Sequence, residues 1–273
     1  MVKKPISTKA KVFWGILSFF IAAAVYFFLS YRQHQINPQD TTIPNFTQLC
    51  EGVKKIFEKQ PSLNPEVKWH GNVWFWQDLA ATSWRFFMGI LLGCTASLLL
   101  GILMGCFAPV GAFFYPGISF LAKIPPTAML AVYFVVFGTE VEFFIAMIAL
   151  GVLPVMTIAI YSSVEKDVSV NIVFKAYTLG ASHAEVIWNV VSKQIFPRAL
   201  QNIQLAIGPA MVFLICAEWL VADVGFGYRL RMQSRLLNMN VVYVYLAFLG
   251  IAGLGLDHCL TLLRRKLCPW FGE

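Results

Sequence analysis

The sequence predicts an all-α, polytopic membrane protein with about six transmembrane helices. Three observations carry that reading. Of 273 residues, 58% are hydrophobic and only 13% charged, whereas a soluble domain carries about a quarter charged residues. The apolar residues fall in runs long enough to cross a bilayer; a spanning helix needs ~20 residues and satisfies its backbone polar groups internally. The formal charge of +7 gathers at the chain start, in one internal polar segment and at the chain end, as expected of segments retained on the cytoplasmic side. No aromatic–basic face of the kind nucleic acids need accompanies that charge.

Lys3, Lys4, Lys9 and Lys11 precede the first apolar run, Val12 to Tyr31. Its length, and the lack of a small-x-small site at its end, predict an uncleaved span that starts in the cytoplasm rather than a signal peptide. Residues 32–77 form a long polar region broken by Pro38, Pro44, Pro61 and Pro65. Within it, Phe46, Leu49, Val53, Ile56 and Phe57 recur at helical spacing and predict an amphipathic helix over 46–59. Trp69, Trp74, Trp76 and Trp84 read as an interfacial collar outside the cell, with a carbohydrate-stacking site as the alternative. The chain thus divides into an N-terminal span with an extracytoplasmic segment, 1–78, and a core of about five spans, 79–273.

The second span covers about 79–107. Gly89, Gly93, Ser97, Gly101 and Gly105 recur every fourth residue, a small-residue seam that lets another backbone approach closely. A short turn over 108–111 leads to a third span, about 112–137, interrupted by Pro116, Pro125 and Pro126. Proline frees carbonyls that only protein or a watery cavity can satisfy, so this span is either kinked or broken around a transport site. Lys123 beside the proline pair either faces a water-filled mouth or snorkels to an interface.

An outer turn at 138–142 precedes the fourth span, about 143–162. The fifth, about 199–222, ends at Glu218. The outer segment 223–240 carries Arg229, Arg231 and Arg235, more basic than a short outer loop should be; an acidic outer partner would explain them. The sixth span, about 241–262, holds Asp257-His258 near its inner end and is anchored by Arg264-Arg265-Lys266. Both termini are placed in the cytoplasm. A carboxylate in a span is a functional candidate, and Glu218 and Asp257 fall near opposite faces, too far apart to pair.

Between the fourth and fifth spans, residues 163–197 predict a helical elbow. Gly180 can take the left-handed conformation that ends one helix. Ser182 with Glu185 fits a capping box that starts the next, and Val186, Ile187, Val190 and Val191 supply its apolar stripe.

Catalytic machinery is missing from the sequence. There is no G-x-x-x-x-G-K-[ST] phosphate loop, no H-E-x-x-H and no G-x-S-x-G. Cys50, Cys94, Cys106, Cys216, Cys259 and Cys268 show no paired spacing, and four fall in apolar spans as small hydrophobes. His34, His70, His183 and His258 do not cluster. No catalytic residue, metal ligand or cofactor is assigned to this chain.

The elbow residues Ala176, Leu179-Gly180-Ala181-Ser182 and Pro197 resemble the coupling-helix ("EAA") loop of ABC importer permeases. Two further blocks resemble the subgroup that imports nitrate, sulfonates, taurine and related compounds. They are Ile124-Pro125-Pro126-Thr127-Ala128 leading to Phe137-Gly138, and Ala217-Glu218-Trp219-Leu220 followed by Gly225-Phe226-Gly227-Tyr228. The chain departs from the loop pattern at Phe174-Lys175, where Glu-Ala is usual, and at Lys193, where a first proline would stand.

The resemblance implies a type I importer fold in the cell inner membrane. Its implied partners are ATP-binding subunits that carry the ATP, an extracytoplasmic solute-binding protein and a second permease copy. It implies that Ala176, Leu179, Gly180, Ala181, Ser182, His183, Glu185 and Pro197 couple to the ATPase. Lys123, Pro125, Pro126, Glu218, Trp219, Gly225 and Gly227 become pathway or gate candidates, and the implied cargo is a small solute of the nitrate, sulfonate, taurine or bicarbonate kind. The alternative from another class is an ion-gradient-driven carrier or channel using Glu218, Asp257 and Lys123.

Overall fold

The computed structural model describes residues 7–38, 40–58 and 73–270; Lys3, Lys4, Pro61, Pro65, Trp69 and His70 lie outside them. The helices are α1 (Thr8–Ile36), α2 (Phe46–Phe57), α3 (Trp74–Cys106) and α4 (Ala108–Leu121). A 3₁₀ turn, Pro126–Met129, then leads into α5 (Leu130–Phe137), followed by α6 (Val141–Asp167) and α7 (Val170–Thr178). Next come α8 (His183–Glu185), a π-helical turn Val186–Val191, α9 (Ser192–Val221), α10 (Phe226–Arg235) and α11 (Met239–Leu267). The run from α8 through α9 is one continuous helix of 39 residues.

Packing of α3 on α6 organises the bundle, and the small-residue seam makes it possible. Gly89 faces Ile148, Gly93 faces Ala149, Gly101 faces Ile160 and Gly105 faces Val164. Ser97 Oγ donates to the Leu153 carbonyl at 3.2 Å. A β-carbon on Gly93 would stand 3.0 Å from the Ala149 backbone, so even alanine would require the two helices to give by a few tenths of an ångström.

Residue numbers rise together along this contact, so α3 and α6 run parallel. The seam from Gly89 to Gly105 covers about 24 Å at 1.5 Å per residue. Between Cys106 and Val141 the chain must therefore return across that thickness, and α4 and α5 make the return. They meet at a bend of 81°. The pair is a broken span rather than a loop that re-emerges on one side, and with the five long apolar helices it gives six crossings. The start of α1 and the end of α11 consequently share the side that carries α7 and α8, termed here the elbow side. The opposite, far side carries α2 and α10.

One apolar core joins α3, α6 and α9 through residues such as Phe86, Met147, Ile160, Leu214 and Ala217. A second lies on the far side, where Ile56, Phe75, Phe226, Leu230, Val241 and Tyr245 bring α2, α3, α10 and α11 together. Residue 78 falls inside α3, and Gly52 of α2 sits against the Asn240 carbonyl at the start of α11. The amphipathic helix is thus built into the far-side cap.

The first helix is different. Phe13, Trp14, Phe19, Phe20 and Phe28 on α1 are all exposed, as suits a helix facing lipid on most sides. It is fastened near its far end, where Tyr26 Oη donates to the Pro44 carbonyl at 2.8 Å and Ser30 Oγ to the Ile43 carbonyl at 3.1 Å.

Several boundaries differ from the sequence expectation. Residues 108–111 begin α4 instead of forming a turn, because Pro109 in a first helical turn forfeits no hydrogen bond. Of the two alternatives the prolines left for the third span, kinked or broken, the structure has the broken one. The fifth span does not start at 199: Pro197 is buried within α9 and marks no boundary. The outer segment 223–240 contains a regular helix, α10.

Candidate functional site

The elbow closes α7 with two hydrogen bonds. Ala181 N–H donates to the Ala176 carbonyl at 3.1 Å, and Gly180 N–H to the Tyr177 carbonyl at 2.9 Å. This Schellman pair needs a left-handed residue between them, and Gly180 has φ +86°. The next helix starts at once. Ser182 Oγ accepts from Glu185 N–H at 3.3 Å, while Glu185 Oε2 accepts from Ser182 N–H at 2.8 Å and from Ser182 Oγ at 2.9 Å. Tyr177 Oη lies 2.8 Å from His183 Nδ1, tying the two limbs across the bend. On the membrane side, Gln194 Nε2 donates to the Asp167 carbonyl at 2.8 Å, and Arg198 pairs with Asp167 at 3.3 Å. Alongside polar groups such as Lys175, Thr178 and Asn189, the bend exposes large apolar side chains: Val170 and Phe174 are 62% exposed, Leu179 88% and Trp188 73%.

At the far side Glu218 is fully buried and closed in by three groups. Arg85 Nη1 lies 2.8 Å from Oε1, Thr82 Oγ1 is 3.0 Å from both oxygens, and Gly227 N–H donates to Oε2 at 2.9 Å. Thr82 Oγ1 also accepts from Phe226 N–H at 2.9 Å, and Arg85 donates to the Val224 carbonyl at 2.7 Å while its guanidinium lies over the Phe144 ring.

A second buried pair stands beside it. Arg229 reaches both oxygens of Asp78 at 2.9 and 3.3 Å, Tyr245 Oη donates to Asp78 Oδ2 at 2.7 Å, and Gly225 N–H donates to Oδ1 at 3.0 Å. The first N–H groups of α10 are thereby satisfied by side chains of α3 and α9, as a helix start requires. The glycines make room. A β-carbon on Gly225, at φ +127°, would fall 2.5 Å from Glu218 Oε1, and one on Gly227 would fall 2.6 Å from Glu218 Cβ.

These contacts correct the expectation for the outer arginines. Arg229 is buried on Asp78, and Arg231 donates to the Leu220 and Ala222 carbonyls at 2.7 and 3.0 Å. Arg229, read from sequence as a charge of the outer segment, is a core residue, and so is its partner Asp78. Sequence reading also passed over Arg85, although a lone cation inside an apolar run was signal enough to seek a carboxylate such as Glu218. Trp219 remains 43% exposed at the edge of this cluster.

The broken span places the remaining candidates at mid-depth. Pro126 and Phe213 both crowd Gly151, near the middle of α6, and an apolar recess of about 220 Å³ lies there between Ile124, Tyr133, Val155 and Phe213. Lys123 is exposed at the bend, where Lys123 N–H donates to the Phe120 carbonyl and closes α4, and Pro125 starts the 3₁₀ turn. Asp257 lies toward the elbow side and accepts from Gln204 Nε2 at 2.6 Å. From Gln204 to Glu218 is about 21 Å along α9, so the two carboxylates do not meet. Among the described residues no group of His, Cys, Asp and Glu is arranged to hold a metal ion.

Residues 97–272, well over half the chain, match the family described as the binding-protein-dependent transport system inner membrane component. The chain belongs to that family. The permease is 29% identical over 198 residues to the taurine transport system permease protein of Escherichia coli (strain K12), covering 72% of each chain. It is 30% identical over 187 residues to a putative ABC transporter permease protein of Methanocaldococcus jannaschii, covering 68% of this chain and 70% of the relative. It is also 26% identical over 192 residues to a putative aliphatic sulfonates transport permease protein of Bacillus subtilis (strain 168), covering 70% and 69%. The permease is a multi-pass transport subunit of an ABC importer for small solutes. Bent span, elbow and buried Glu218 all fall within the matched region.

Proposed function

We propose that the permease acts as half of a membrane pore whose elbow is driven by a separate ATP-hydrolysing subunit. The supporting observation is the set of large apolar side chains that the elbow exposes. Val170, Phe174, Leu179 and Trp188 stand on helices fixed by a Schellman turn and a capping box, and such a patch on a rigid bend suits a protein partner. Phe174, where the coupling loop usually carries glutamate, adds an apolar side chain to this surface beside the exposed Lys175. Ala176, Gly180, Ala181, Ser182, His183 and Glu185 hold the shape of that surface, and Leu179 projects from it. The elbow side is then cytoplasmic, as are both chain ends, and the far-side cap with α2 and α10 faces an external solute-binding protein.

The pathway runs along the bent span, with Lys123, Pro125 and Pro126 at its middle and a second copy of the permease completing the wall. An exposed ammonium midway through a bundle is tolerable only beside water or a counter-charge. It suits a solute with an anionic group; one relative is named for taurine and one for aliphatic sulfonates. Glu218, Trp219, Gly225 and Gly227 frame the far mouth rather than line it.

The test is co-purification with uptake. Leu179→Asp with Trp188→Asp should leave the permease membrane-inserted, strip the ATPase from the purified complex and abolish sulfonate uptake. An ATPase retained at full occupancy by that double variant would refute the elbow as the docking surface. Uptake that survives ATP depletion and collapses with the proton gradient would assign the protein to ion-driven carriers instead.

A further inference from the structure

The recess at the bend of the broken span holds about 220 Å³, more than the roughly 150 Å³ of an apolar cavity that admits benzene. Both limbs of the span line it, together with α6 and with Phe213 of α9. Gly151 lets that ring close against α6, since a β-carbon there would stand 2.7 Å from it. Among the described residues no charged side chain is part of the lining. Few acceptors stand in the wall: the Tyr133 hydroxyl, 3.6 Å from Met129 Sδ, and the Leu150 carbonyl, to which Pro154 has no N–H to offer. Lys123 stands between two lining residues, Ala122 and Ile124, and is itself exposed. A cation and an apolar hollow thus adjoin at mid-depth.

We propose that this recess receives the uncharged tail of the transported solute while Lys123 meets its anionic head, so that the cargo is an organic anion with a short aliphatic chain. The inference rests on the bent span being the pathway and adds to it a determinant of selectivity. An inorganic anion would leave the hollow unfilled. A zwitterion would bring an ammonium, with three donors to satisfy, into a wall that holds no carboxylate, and burying an unpaired charge there is costly. An aliphatic tail loses nothing on entry and gains by leaving water. One methylene more or less in an apolar pocket is worth roughly tenfold or more in specificity, so the recess is large enough to rank solutes by the length of their tails.

The test compares propanesulfonate with aminoethanesulfonate, which differ by a methyl group against an ammonium. Initial uptake of each is measured in cells carrying the whole transporter, always with the same external binding protein, so a changed ratio belongs to the permease. Val155→Glu puts a carboxylate on the recess wall at a residue 59% exposed, and should shift the ratio about tenfold or more toward the aminosulfonate. Phe213→Ala opens the recess and should shift a second ratio, octanesulfonate over propanesulfonate, toward the longer chain. Ratios that stay fixed in both variants, while Lys123→Met still lowers uptake, would overturn the tail site and leave the pathway standing; a lipid chain or the second permease copy would then fill the recess. Fixed ratios with no effect of Lys123→Met would bring down the pathway reading as well. Uptake of neither solute by the wild type would also overturn the proposal.

Discussion

Arg85 and Glu218 face each other at 2.8 Å between α3 and α9, the carboxylate at 0% exposure. Neither has water to fall back on, so each is tolerated because of the other. Removing one leaves an uncompensated buried charge, which typically costs about 3–5 kcal/mol, whereas replacing both with apolar groups of similar volume is often neutral. Arg85→Ala should therefore lower the thermal unfolding midpoint of the detergent-purified permease sharply. Arg85→Met with Glu218→Leu should recover most of the loss, and a double-mutant cycle reads the coupling directly.

The elbow depends on one left-handed residue. Gly180→Val places a branched side chain at φ +86°, which costs roughly 1–2 kcal/mol. Nothing but open space surrounds that position, so the effect is conformational rather than steric. Membrane insertion should be unchanged, and uptake should fall along with ATPase stimulation in reconstituted vesicles.

The α3–α6 seam is unforgiving in a different way. Gly93→Leu must displace the Ala149 backbone, and overpacking of this kind costs about 1–3 kcal/mol. Gly117→Leu, at a position with nothing within 4 Å, should be silent in the same unfolding assay.

Asp40 provides a pH handle on the tether of α1. Its Oδ1 accepts from Thr42 Oγ1 at 2.8 Å and from Thr42 N–H at 3.1 Å. Those hydrogen bonds hold its carboxyl below the usual carboxylate range. A depressed carboxylate contributes stability that is present above its unfolded pKa and lost as pH falls through its folded one. Hydrogen exchange at residues 42–48 should accordingly quicken on acidification below the normal aspartate range, and Asp40→Asn should flatten that dependence.

Lys123 tests the pathway. Lys123→Met should reduce uptake of an anionic solute, through KM if the ammonium attracts the solute at rest and through the maximal rate if it acts during passage. Unfolding midpoint and complex assembly should stay as in the wild type, because the side chain is exposed at the bend.

Much of this architecture was legible in the sequence, for identifiable reasons. Glycines at every fourth position can serve close helix contact and little else, so the seam announced a closely packed helix without saying which one. Gly180 and the Ser182–Glu185 box are local signals, and local signals survive folding unchanged. Pro197 misled because a proline's effect depends on what surrounds it; buried within α9, it is carried rather than obeyed. The far-side cluster was partly hidden for a related reason. Asp78, at the head of its helix, finds Arg229 151 residues away, and its position does not separate it from a charge destined for solvent; Arg85 and Glu218, 133 residues apart, lie inside apolar runs and could have been sought as a pair.

The unbroken helix from His183 to Val221 has a mechanical corollary. Its 39 residues make a strut of about 58 Å, with the elbow at one tip and the Arg85–Glu218 knot at the other. Leverage applied at the first tip reaches the second with no joint between them beyond the give at the π turn, Pro197 and Pro209. Whatever loosens the knot should make the strut yield instead of transmit.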